Sequence, residues 1–225
     1  MQLHADYTKP AVSRASETLW VPSPLKGVDR KMLERNGLEV ARATSIVRYA
    51  PNSHFSPHVH TGGEEFLVLD GVFSDEHGDY PAGMYVRNPV GSKHRPFSKG
   101  GCTIMVKLWQ YPPEDQLFVR TNIFDDTLWR KHDDGTARLE LHHTEHEHVE
   151  TLKIQEGQSP DLTGVGGTEL FVVSGSMEAC GETYTEGDWL RYPVGKSMRV
   201  KAVEGLTLWK KTGHLIAPPA LPAKH

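Results

Sequence analysis

Three imidazoles and one carboxylate carry the chemistry that is legible first. His58, His60 and Glu64 lie in the run HVHTGGEEFLVLDG, and His94 closes PAGMYVRNPVGSKH. Residues two apart on a strand point to one face, so His58 and His60 can present both rings to a common interior. Glu64 keeps that parity, although Gly62 and Gly63 predict a turn in between. Imidazole nitrogens with one carboxylate oxygen make a mixed donor set suited to zinc, iron, manganese, nickel or copper rather than calcium or magnesium. On a six-coordinate ion, four such ligands would leave two positions for water or substrate. Glu65 is the competing carboxylate.

Such side chains need a rigid frame. Twenty-one Gly and 15 Pro, scattered along 225 residues, interrupt almost every apolar run. Few runs therefore reach the ~10–12 residues at which a helix is favoured over a strand. Short strands are predicted instead. Two runs within 28–49 flank Asn36-Gly37, a dipeptide suited to a two-residue type I′ turn, so a hairpin is expected there. Strands at 66–69, 85–87 and 103–109 follow between turn residues. The pattern is all-β, sandwich or barrel.

The chain also repeats itself. GGEEFLVLDG at 62–71 falls on GGTELFVVSG 104 positions later, and the overlay runs without a gap to His94. Tyr80, Gly83, Arg87, Pro89, Val90 and Gly91 fall on Tyr184, Gly187, Arg191, Pro193, Val194 and Gly195. Two copies of one β domain are predicted, meeting near 112–125, where Pro112-Pro113 and the polar residues after them suit a junction. Consecutive apolar residues at 66–69 and 170–173 predict strands covered on both faces, by the sister domain, a second chain or both. His58, His60, Glu64 and His94 overlay Leu162, Gly164, Thr168 and Met198, so the second copy keeps the turn residues and lacks the ligands.

Composition narrows the partners. Twenty-five basic against 29 acidic residues give a net charge of −4, with no basic block to hold a phosphate backbone, so nucleic acid is not expected. No apolar run approaches the roughly 20 residues of a membrane-spanning helix. The first ten residues lack the apolar core of a secretory signal, which points to the cytoplasm. Cys102 and Cys180 are too few for a disulfide framework.

The ligand-bearing segments resemble the two motifs of the cupin superfamily, G-x5-H-x-H-x3,4-E-x6-G and G-x5-P-x-G-x2-H-x3-N. His58, His60, Glu64 and Gly71 fit the first, and Gly83, Pro89, Gly91 and His94 the second. Asn52 replaces the opening Gly and Ser98 the closing Asn. Asn tolerates left-handed φ, which makes the first departure mild. Spacing to Gly71 favours Glu64 over Glu65 as ligand. Within cupins, HxHxGGEE followed by YPAGxYVRNPxGSxH is similar to the cupin domain of ChrR-type anti-sigma factors.

That resemblance implies a double-stranded β-helix, or jelly roll, duplicated in tandem as a bicupin. Residues 1–112 would hold a divalent ion at His58, His60, Glu64 and His94, and 113–225 would form a copy without ligands. Zinc is the ion implied by the ChrR-like branch. Iron or manganese serves oxygen-using cupins, and nickel also suits the donor set. The implied roles are binding or sensing of a small molecule or oxidant at the metal, or a dioxygenase acting on a small diketone or phenolic ketone. No catalytic residue is assigned, and a homodimer is expected. The family's separate amino-terminal zinc domain, with its His-x3-Cys-x2-Cys pattern, has no counterpart here, which weighs against direct sigma-factor binding.

Other residues receive plainer readings. His142, His143, His146 and His148 tempt a second metal site, with His146 and His148 on one strand face, but their overlay on the first hairpin favours a solvated turn. Arg87 and Arg191 recur in both copies and suit structural ion pairs. Tyr85, Met84, Phe97 and Met105 are candidates to line the barrel or fill its core. His54 and His77 are expected at the surface, and Cys102 in the core.

Overall fold

The computed structural model describes residues 1–218. Strands dominate, and the only helical residues among those described form a short 3-10 turn at Asp126–Leu128. No helix among them is long and apolar enough to cross a membrane. The chain divides into two compact units, one of Met1–Ala5 and Leu19–Phe124, the other of Asp6–Thr18 and the residues from Asp125 to 218. The change of unit thus falls at Phe124/Asp125, later than the Pro112-Pro113 junction. Strand pairing explains both displacements: Val119–Asn122 pairs with Met84–Asn88 of the first unit, and Ala11–Ser13 with Trp189–Tyr192 of the second.

In the first unit the main sheet runs in the order Gln2–Leu3, Val28–Gly37, Ala41–Tyr49, Cys102–Leu108, Glu64–Asp75, Met84–Asn88, Val119–Asn122. Adjacent strands on this path are antiparallel. Glu64–Asp75 belongs to two layers: Glu64 to Gly71 pair with Cys102–Leu108, while Val72 to Asp75 pair with Gly78–Pro81. The corner is at Gly71, whose φ of 72° places it in the left-handed region. A Cβ there would overlap the Gly101 carbonyl oxygen, so only Gly lets the strand change sheets at this point.

Alternation along this strand separates two chemistries. Phe66 and Val68 face a core shared with Phe73, Val86, Ile104 and Val106. Glu65 and Leu67 face the other way, and both are buried too. On that side Glu65 lies in register between Arg87 and Lys107, and Leu67 between Tyr85 and Met105. Glu64 shares the parity of Phe66 and therefore belongs to the barrel interior.

The predicted first hairpin forms, but its turn is displaced. Gly37 pairs with Ala41, so Asn36-Gly37 ends a strand and residues 38–40 make the loop. The Arg35 guanidinium donates to the carbonyl oxygens of Leu38 and Glu39, the latter at 3.1 Å, and pins a three-residue loop that a dipeptide signal does not reveal. Asn52, in place of the motif's Gly, sits at φ 59°, the left-handed conformation that Asn tolerates.

The second unit orders its main sheet Arg130–Lys131, Ala137–His143, His148–Ile154, Leu206–Thr212, Thr168–Ser174, Trp189–Tyr192, Ala11–Ser13. Glu169 pairs with Arg191 and Phe171 with Trp189, each 104 positions beyond the Glu65–Arg87 and Leu67–Tyr85 pairs. Gly175, at φ 81°, meets Gly205 as Gly71 meets Gly101.

The two cysteines differ in reactivity. Cys102 is buried, and desolvation pushes its thiol pKa up to about 11, whereas Cys180 is exposed. Because the thiolate is the nucleophile, iodoacetamide at mildly alkaline pH is expected to modify Cys180 alone in the native protein and both residues after denaturation. Peptide mass spectrometry reads the outcome, and rapid native labelling of Cys102 would contradict the packing described.

Candidate metal centre

Two short strands bring the histidines together. His58–Val59 pairs with Lys93–His94 so that His58 stands directly opposite His94. One residue beyond Val59, the His60 amide donates to Ser92 O at 2.8 Å, and the His60 carbonyl accepts from the Gly91 amide at 2.9 Å. The three rings stand edge to face with centroids 4.7–4.9 Å apart. Each ring offers one nitrogen, and the three nitrogens lie within 4.8 Å of one another. Glu64 Oε2 lies 3.4 Å from His60 Nε2 and 3.8 Å from His94 Nε2. All four residues named from the sequence are therefore neighbours.

The donor atoms fit a cation. Nε2 of His60 and Nε2 of His94 are buried and make no hydrogen bond. Leaving a buried polar atom unsatisfied costs about 1–3 kcal/mol, and here two such atoms converge on one carboxylate oxygen. Two nitrogens and an oxygen so placed, with the more exposed His58 at the mouth, match the geometry by which borderline divalent ions are held.

Outer contacts orient these side chains. Asp75 Oδ2 lies 3.1 Å from His94 Nδ1, leaving Nε2 to point inward. The other Asp75 oxygen accepts from Tyr80 OH at 3.2 Å and from the His77 amide at 2.8 Å. Asn88 Nδ2 donates to Glu64 Oε2 at 3.0 Å, and Arg120 donates in turn to Asn88 Oδ1 at 2.6 Å. Burial disfavours the charged form of His60 and lowers its pKa, with His94 and His58 adding to the effect against Glu64. At His94 burial works the same way but is outweighed by the Asp75 hydrogen bond and the nearby carboxylates, so its pKa rises. Asp75 is held below its ordinary value because hydrogen bonds from His94 and the His77 amide outweigh its own burial.

Asp75 and Asn88 were not legible as site residues. Asp75 lies beyond the Gly71 corner, where parity counted from Glu64 no longer applies. Asn88 is visible only through its register opposite Glu64.

Glu65 serves a separate network. Its Oε2 accepts from Tyr85 OH at 2.6 Å and from Arg87 at 3.2 Å, and Arg87 also pairs with Asp115 at 2.5 Å. Tyr85 therefore belongs with Glu65 on the face away from the histidines, as does Met105 by register, and neither lines the metal side. Met84 packs against the core, Phe97 stacks on His54, and Phe73 lies 5.8 Å from the His94 ring. His54 and His77 are exposed, as expected. Glu64→Gln is expected to lower metal retention while leaving the melting temperature nearly unchanged. Glu65→Gln should lower the melting temperature and spare the metal. Elemental analysis and thermal denaturation of both variants separate these roles, and the reverse pattern would make Glu65 the ligand.

At the overlaid positions of the second unit, Leu162 and Met198 are fully buried in its core, and Thr168 Oγ1 accepts from the Gly164 amide at 2.8 Å. Apolar volume occupies the place that the imidazoles take in the first unit.

A family model described as the ChrR cupin-like domain matches residues 8–112. No curated protein matches. Among solved structures, a candidate dioxygenase from Nostoc punctiforme superposes with a TM-score of 0.75 at 13% identity, covering 97% of this chain and 87% of that one. A bacterial pirin from Escherichia coli in complex with nickel(II) gives 0.69 at 12% identity, covering 94% and 100%. Salicylate 1,2-dioxygenase from Pseudoaminobacter salicylatoxidans, with gentisate adducts, gives 0.67 at 14% identity, covering 93% and 82%. At these identities the likeness is one of fold. The matched segment, the β-rich architecture and the grouping of His58, His60 and His94 make residues 8–112 similar to the ChrR cupin-like domain, on a fold shared with these solved structures.

Proposed function

We propose that the chain is a metal-binding bicupin whose first unit holds one divalent ion, zinc, at His58, His60, Glu64 and His94, and binds or senses a small molecule or oxidant there. The observation that carries this reading is the pair of buried Nε2 atoms, on His60 and His94, that make no hydrogen bond while facing Glu64. The 104-residue spacing of matching ladder pairs supports tandem duplication, and the filled core of the second unit supports a single ion per chain. A bound divalent ion would supply Lewis-acid polarisation of an oxygen-bearing ligand. The chain's own part is to hold the donor atoms aimed inward, through Asp75 behind His94 and Asn88 behind Glu64. His58, the exposed member, marks the side from which a ligand would approach.

A second reading is a dioxygenase, loaded with iron or manganese, acting on a small diketone or phenolic ketone. It is supported by the fold shared with the Nostoc candidate dioxygenase and with salicylate 1,2-dioxygenase. Metal analysis of protein purified without added metal, followed by oxygen-uptake assays of the iron-loaded form with such ketones, separates the two. Near-stoichiometric zinc without oxygen consumption supports binding or sensing, and substrate-dependent uptake supports the oxygenase. Absence of any retained ion defeats both.

A further inference from the structure

The hairpin of Ala137–His143 and His148–Ile154 in the second unit carries side chains for which the metal centre has no use. His143 pairs directly with His148 across the ladder. Side chains so placed on antiparallel strands have Cβ atoms only ~4.5–5.5 Å apart, and these two rings have centroids 4.7 Å apart. A carboxylate joins them through an irregularity in the strand. Residues three apart, such as Glu140 and His143, normally point to opposite faces. The register shifts between Glu140 and His142, which leaves Leu141 as an extra residue. Consequently Leu141 and His142 are both buried while Glu140 and His143 on either side are both exposed. Bulges commonly re-aim a side chain in this way. Alternation through 146–148 would have paired His146 with His148, but His146 lies in the turn and the bulge brings Glu140 instead.

The result is a compact set of donors. Glu140 Oε2 lies 3.2 Å from His148 Nε2 and 3.6 Å from His143 Nδ1. One ligand atom from each of the three residues falls within 4.8 Å of the others, the same limit met by His58, His60 and His94. His148 Nε2 is buried and, although close to Glu140, makes no hydrogen bond. The frame is pinned: the Thr144 amide donates to Glu147 O at 2.9 Å, and the Glu147 and His146 amides donate to Thr144 Oγ1 at 3.3 and 3.2 Å. Two imidazoles and one carboxylate, pre-positioned at the surface, suit Zn²⁺, Ni²⁺ or Cu²⁺, with water completing the coordination. We infer that Glu140, His143 and His148 form a second, solvent-accessible site for a divalent transition-metal ion, independent of the buried centre in the first unit.

Zinc titration of the metal-stripped intact chain by calorimetry, with elemental analysis after dialysis, tests this inference. The wild-type chain should show a weaker class of one zinc equivalent that His143→Ala abolishes and Glu140→Gln weakens. His94→Ala should retain that class. Because His143 and Glu140 are exposed, both hairpin variants should melt like the wild type, so loss of the weaker class cannot be ascribed to unfolding. Retention of the class in His143→Ala, or its disappearance in His94→Ala, would overturn the inference, as would a wild-type chain that shows no such class.

Discussion

Replacing His94 by alanine is expected to abolish retention of the metal in the first unit. The effect should exceed the ~10–100-fold loss of affinity typical when only an outer partner of a ligand is removed. His94 supplies one of the two buried nitrogens facing Glu64 and also forms the link to Asp75. Alanine removes the donor and leaves Asp75 without its imidazole partner. Asp75→Asn, which keeps His94 but alters what holds it, should fall within that ~10–100-fold range. Met198→Ala, at the overlaid position, should leave metal content unchanged. It should instead destabilise the second unit by about 2–5 kcal/mol, the usual cost of truncating a fully buried Met. Metal content after dialysis and denaturant unfolding distinguish these outcomes. Equal metal loss in His94→Ala and Met198→Ala would mean that the ligand-bearing and ligand-free halves have been misassigned.

Much of this arrangement was legible because it is written in local spacing. Parity on a strand placed His58 with His60, and the 104-residue overlay pointed to the ladder pairs Glu65–Arg87 and Glu169–Arg191, which the two units both form. The unread features depend on departures from regular strand geometry or on contacts distant in sequence. Asn36-Gly37 has the composition of a two-residue turn, yet Arg35 reaches forward to hold a longer loop, and no dipeptide rule contains that contact. Asp75 was hidden by the corner at Gly71, and Glu140 by the bulge at Leu141. Within the predicted 112–125 junction the change of unit falls at its far end, because Val119–Asn122 completes the first sheet before the chain enters the second unit. Counting alternate residues works until the strand bends, and Asp75 and Glu140, which stand beside the two histidine groups, lie just past the bends.

The second large effect concerns stability rather than metal. Arg87 is fully buried and its guanidinium is shared by Glu65 at 3.2 Å and Asp115 at 2.5 Å, while its carbon lies 3.7 Å from the centre of the Tyr111 ring. Arg87→Met keeps much of the apolar stem and removes the charge, leaving two carboxylates in a region of low dielectric. Removing the shared partner of buried carboxylates in this way costs about 3–5 kcal/mol, even though Glu65 keeps the hydrogen bond from Tyr85 OH. Arg191→Met should cost less. In the second unit Glu169 has its own donors, Trp189 Nε1 at 2.7 Å and His214 Nε2 at 2.9 Å, and Arg191 stacks on Tyr7 at 4.1 Å. Adding Glu65→Gln and Asp115→Asn to Arg87→Met should recover part of the lost stability, since neutral amides tolerate the missing guanidinium better than carboxylates do. Urea unfolding of the single and triple variants measures the recovery. A loss below about 1 kcal/mol for Arg87→Met, within the range of an exposed ion pair, would show that this charge cluster is solvated rather than buried.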